Sequence, residues 1–197
     1  MWRSILKDTD VFDRLKKLTK DTASTWKQVP GAAPYEVSEV MGRAMIDWMV
    51  DLTNALHTWI EKGENMTEGE LILARINIGI LVECWLRFFY SVYKTDYLKD
   101  TRKLPRKSPD KNATFQELQE FSTGVLWDNN EDSMYKWINR VRKSRNAVHA
   151  FLYHDIGSNN QFLDDIEELY KFVDNIVMTL PPLEDVLAEK WESEHYH

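Results

Sequence analysis

The stretch from Thr67 to Leu98 constrains this chain more than any other. Leu71, Ile72, Ile76, Ile80, Leu81, Trp85, Phe88, Phe89 and Val92 recur at helical steps and leave little of the circumference polar. A helix apolar on nearly every side has to be enclosed by other elements. Lipid is not the enclosure this sequence predicts, because the longest uncharged apolar run, Ile76 to Val82, is far too short to span a bilayer. Thr67 with Glu70 three residues on has the form of a capping box, which marks where this central helix starts.

The elements around it also read as helices. Val37, Met41, Ala44, Trp48, Leu52, Ala55 and Trp59 predict one long helix over 36–61, closed by Lys62-Gly63. A shorter helix is expected over 6–20, cut off by the Pro30-to-Pro34 stretch. Residues 99–111 read as a basic loop with two prolines, followed by a short helix over 113–121. Asn130, backed by Glu131 and Asp132, predicts the start of a helix running to about Tyr153. A turn at Gly157 leads to a last helix over 163–179, which Pro181-Pro182 ends. The expected fold is all-α, an antiparallel helical bundle of four to six helices. Residues 1–34 are expected as a helical extension, 35–182 as the bundle and 183–197 as an acidic tail.

With 25 Lys and Arg against 32 Asp and Glu, the net charge of −7 argues against coating nucleic acid through global charge and leaves room for a local basic site. The lone cysteine, Cys84, excludes an internal disulfide and a cysteine zinc cluster, and beside Trp85 on the central helix it reads as buried and inert. No glycine-rich phosphate loop, Gly-x-Ser-x-Gly or His-Glu-x-x-His pattern occurs, so kinase, dehydrogenase, hydrolase and zinc-protease readings lack support and no cofactor is expected. The N-terminus has no long apolar run before a small-residue cleavage site, so a cytoplasmic protein without membrane association is the expectation.

The informative segment is Met134 to His149, MYKWINRVRKSRNAVH, which holds five Lys and Arg and no acid. On a continuous helix Arg142 and His149 would fall within about 20° of one another, with Arg145 and Asn146 on the same side. Trp137, Ile138, Val141, Val148 and Leu152 form the adjoining apolar stripe, so the polar set should border a buried face. His154 would fall about 140° from His149, which speaks against a shared metal.

The run from Val141 through His149 to Phe151 resembles the signature of HEPN domains: an arginine, often followed by a polar residue such as Asn, then a histidine after four to six intervening residues, late in a four- or five-helix bundle. Arg142 has six residues between it and His149, at the upper limit; Arg145-Asn146 looks most like the family's Arg-Asn pair, although its three intervening residues fall short of that spacing. Glu83 and Arg87 match the spacing of the Glu-x3-Lys/Arg pair often found on an earlier helix of that family. They also form a plain i,i+4 pair, and the functional alternative is that they buttress the motif helix.

The resemblance implies a metal-independent endoribonuclease, commonly a toxin or antiviral effector, whose motif helices face each other across a homodimer axis. An antitoxin or other regulatory protein is then an expected partner. RNA supplies its own nucleophile, the 2′-OH, so cleavage needs a base, an acid and positive charge on the phosphorane. Histidine transfers protons near neutral pH, and Arg142 and Arg145 suit phosphate oxygens in fork geometry, with Asn146 orienting. One chain offers a single histidine here; a symmetric pair would offer two. Lys143 and the loop cations Arg102, Lys103, Arg106 and Lys107 are the expected RNA-backbone contacts. The alternative is a non-catalytic HEPN-like bundle that uses the same face to hold a nucleotide, RNA or a protein.

Overall fold

A computed structural model describes residues 2–29, 35–102, 107–149, 151 and 153–182. Its α-helices are α1 (Trp2–Trp26), α2 (Tyr35–Arg43), α3 (Ile46–Lys62), α4 (Glu68–Val92), α5 (Lys94–Lys99), α6 (Phe115–Phe121), α7 (Ser133–Arg145) and α8 (Asn159–Thr179), with 3-10 turns over Gly63–Asn65 and Asn146–Val148. Among the described residues there is no β-strand, only an isolated bridge between Thr123 and Trp127. The acidic tail over 183–197 lies outside the described residues.

The capping box that opens α4 is complete. Thr67 Oγ1 accepts from the Glu70 N–H at 3.4 Å, and Glu70 returns the bond to the Thr67 N–H at 2.9 Å. From that start α4 runs through the middle of the bundle and packs on α3, α7 and α8. Ala74, Ile78, Leu81, Val82, Trp85, Leu86 and Phe89 on α4 are buried. Each large apolar side chain enclosed this way contributes about 1.5–3 kcal/mol relative to exposure. The stretch expected as an N-terminal extension shares this core. Phe12 and Leu15 of α1 are buried, α1 packs along α3 and α8, and Trp26 meets Phe88 of α4 edge-on at 5.5 Å.

The bundle has more helices than expected because two long elements break. The helix expected over 36–61 is interrupted at Ala44-Met45, where Met45 adopts φ −87°, ψ 60°. After the break the face turns: Ile46, Met49, Thr53 and Leu56 are buried, while Trp48, expected in the core, is 61% exposed. Both sets of residues have three- and four-residue spacing, so periodicity alone does not choose between them. The central helix breaks at Tyr93, and the short α5 follows.

The helix expected to reach Tyr153 ends at Arg145. Asp132 caps its start by accepting the Met134 N–H at 2.7 Å. Beyond Arg145 one 3-10 turn follows, and His149 leaves helical conformation at φ −83°, ψ 81°. The chain then returns to α8 under the hold of Arg75 on α4, whose guanidinium donates to the Ile156 carbonyl at 2.8 Å and the Ser158 carbonyl at 3.4 Å. Arg75 is 3% exposed and ion-paired with Asp165 of α8, itself 1% exposed. The same carboxylate accepts from Trp137 Nε1 at 2.9 Å and from Arg140, so one buried anion joins α4, α7 and α8. Burial pulls the Arg75 guanidinium below its ordinary value, against the opposing pull of Asp165.

Candidate site at the end of the basic helix

Two of the expected site residues are brought together by an acid on the central helix. Glu83 of α4 pairs with Arg145 of α7 through one carboxylate oxygen. Its other oxygen accepts from Arg87 Nε at 3.1 Å and Nη2 at 2.8 Å. Arg87 in turn donates to the Pro109 and Ala113 carbonyls at 2.8 and 2.6 Å. Glu83 and Arg87 are therefore both an intrahelical pair and a brace, one that fixes α7 and the 107–113 loop to the bundle centre. Cys84 lies next in the chain, half-buried, and burial pushes its thiol up.

Arg142 is held differently. Its Nε donates to Gln119 Oε1 at 2.9 Å, its Nη1 to Gln116 Oε1 at 3.3 Å and its Nη2 to Asn139 Oδ1 at 3.0 Å. The acceptors are neutral amides, so they fix the guanidinium without neutralising it.

The helical projection that placed His149 beside Arg142 does not apply, because α7 ends before His149. His149 is exposed, its backbone N–H bonding the Asn146 carbonyl at 3.1 Å, and Asn146 is exposed with it. Among the described residues no hydrogen bond joins His149 to either arginine. Its chain neighbours are exposed too: Val148 is 60% exposed and Phe151 fully so.

The expected backbone contacts scatter. Lys143 is exposed at the end of α7. Arg102 is tied to Asp100 at 2.5 Å and lies over the Phe121 ring at 4.9 Å, and its hydrogen bond to Asp100 raises its guanidinium further. Lys107 pairs with Glu117 at 2.9 Å. Lys103 and Arg106 lie outside the described residues.

The sequence reading missed Arg75, Asp165 and Arg140. A signal existed, since Arg75 is a charge inside the most apolar segment of the chain, and a buried charge demands a partner. Among the described residues no three His, Cys, Asp or Glu side chains gather as metal ligands, and no helix is long and apolar enough to cross a membrane.

No protein-family model, curated protein or solved structure matches the chain.

Chemically, one copy presents an accessible imidazole, an amide and a lysine at a helix end, with two arginines held nearby on the same helix. Cyclising cleavage of RNA needs a base, an acid and a cation at the phosphorane. The segment from Met134 to His149 carries one histidine in each copy.

Proposed function

We propose that this chain is a HEPN-like, metal-independent endoribonuclease that acts as a homodimer joined across the end of α7. The observation that carries the reading is that His149 is exposed and that its chain neighbours Val148 and Phe151, both apolar, are left open to water as well. An exposed imidazole next in the chain to bare apolar side chains is what a second copy would cover, and the two-fold partner would bring a second His149 to the same phosphate.

In this scheme one His149 takes the proton from the 2′-OH as that oxygen attacks phosphorus. The P–O5′ bond breaks, and the other His149 gives its proton to the departing 5′-oxygen. The products are a 2′,3′-cyclic phosphate and a 5′-OH end. Arg142 carries charge for the phosphorane, and Asn146 and Lys143 steady the strand. Such an activity belongs with a toxin or an antiviral effector in the cytoplasm, held in check by an antitoxin or another regulatory protein.

The second reading, a non-catalytic RNA- or protein-binding bundle, is favoured by one observation: the Arg145 guanidinium is already paired with a carboxylate. An RNA digest in EDTA, with His149→Ala alongside, separates the two. Cutting by the wild type, abolished in the variant, with light-scattering mass at the dimer value, supports the enzyme. RNA bound and left intact by both proteins supports the binding module.

A further inference from the structure

Lys136, Arg140 and Lys143 occupy positions i, i+4 and i+7 of α7 and form one stripe about 10 Å long. Facing them across a cavity of about 410 Å³ is the segment Tyr153, His154 and Asp155. A larger cavity of about 850 Å³ adjoins it on the other side of the same segment, between the start of α4 and the start of α8, with Phe151 in its wall.

Three features of this groove call for an anionic, flat-ringed ligand. The first is charge: Asp165 and Asp155 set two carboxylates against the guanidiniums of Arg75 and Arg140, so the groove's excess positive charge is that of Lys136 and Lys143, and Arg140 is 43% exposed. Lys143 makes no ion pair among the described residues, and Lys136 is tied only by an exposed pair with Glu131 that solvent screens. The second is an orphan: His154 Nε2 is buried without a hydrogen-bond partner in the wall the two cavities share. The third is that Phe151 and Tyr153 present their rings to water. Asp155 is the one acid in the wall of the smaller cavity, and it accepts the Gly157 N–H at 2.9 Å.

We infer that the groove between the Lys136–Arg140–Lys143 stripe and the Tyr153–Asp155 segment is a track for single-stranded RNA, with phosphates along α7 and bases stacked on Phe151 and Tyr153. An acidic protein surface would satisfy the lysines and leave the bare rings unused. A duplex would present phosphates but keep its base faces stacked away from them. The track deepens the nuclease reading and rests on its choice of RNA as ligand, since it leads along α7 toward His149.

The test uses the full chain and a fluorescent 2′-O-methyl RNA oligonucleotide, which cannot be cleaved, in EDTA across a salt series. The wild type should bind it. Lys136→Glu with Lys143→Glu should weaken binding at least tenfold and reduce the salt slope by about 1.4, the share of two phosphates on a single strand. Tyr153→Ala should weaken it about fivefold or more, with the loss persisting at high salt. All three positions are exposed, and circular dichroism of each variant checks the fold. The track is overturned if the oligonucleotide does not bind, if the double reversal binds like the wild type, or if a duplex of equal length binds as tightly. Because the probe resists cleavage, binding through the track by a protein that cuts nothing would sink the nuclease reading alone. Cutting that depends on His149 but ignores the stripe would sink the track alone.

Discussion

Gly79 of α4 lies directly against Arg145 of α7: a Cβ built on Gly79 would stand 2.7 Å from Arg145 Cβ and 2.9 Å from its Cγ. The missing side chain is what lets the two helices approach closely enough for Glu83, one turn further along α4, to reach the Arg145 guanidinium.

Gly79→Ala should therefore destabilise the fold. Ala is favoured over Gly in a helix by up to about 1 kcal/mol. Against that, Arg145 Cβ is fixed to its own backbone and cannot swing away, and overpacking of this kind costs about 1–3 kcal/mol. The net loss should be up to about 2 kcal/mol, a fall of up to roughly 4–8 °C in Tm for a chain of this size. Calorimetry decides; a raised Tm would mean that α4 and α7 are not in close contact.

Glu83→Gln should cost about 1–2 kcal/mol in urea unfolding, because it removes the one carboxylate that, among the described residues, pairs with Arg145 and Arg87, while Glu83 itself is largely buried. The sharper measurement is a double-mutant cycle with Arg145→Met. A coupling energy above about 0.5 kcal/mol is expected for side chains in direct contact. Additive single effects would show that the brace contributes nothing.

How much of this was legible depended on the range of the interaction. Thr67 and Glu70 announce a helix start because the capping box lies within four residues, and Gly63 closes α3 with φ 51°. Glu83 and Arg87 were visible as a pair for the same reason. Their engagement of Arg145, 62 residues away, was not, because nothing local in the sequence marks it. The break at Met45 has no proline or glycine at its centre, and two apolar periodicities overlap there, so only packing decides which is buried. The run after Arg145 reads as helix by propensity. Arg75 holding the Ile156 and Ser158 carbonyls fixes the return path by a tertiary contact that local spacing cannot convey.

Asp165→Asn should be among the most damaging single changes. The amide can still accept from Trp137 Nε1, but the charge opposing Arg75 disappears at a position where both side chains are almost completely enclosed. Leaving a buried guanidinium uncompensated costs about 3–5 kcal/mol. The midpoint of urea unfolding measures it, and a loss below about 1 kcal/mol would show that water reaches Arg75.

The two capping boxes set the acid side of stability. The Lys62 ammonium, then the Thr67 N–H, hold the Glu70 carboxyl down from 4.5 to about 2. The Thr114 N–H, then Lys107, do the same for Glu117, from 4.5 to about 2. Both groups bind a proton less readily when folded, so the folded chain holds fewer protons than the unfolded one between those values. Their stabilisation is complete above about pH 4.5 and disappears as pH falls towards 2. Glu70→Gln with Glu117→Gln removes both titrations. The variant should be less stable than the wild type at pH 7, and its thermal midpoint should fall less steeply between pH 4.5 and 2. Salt should narrow the gap at pH 7, since both carboxylates are solvent-facing. Parallel curves for the two proteins over that range would mean that the boxes do not hold these carboxyls down.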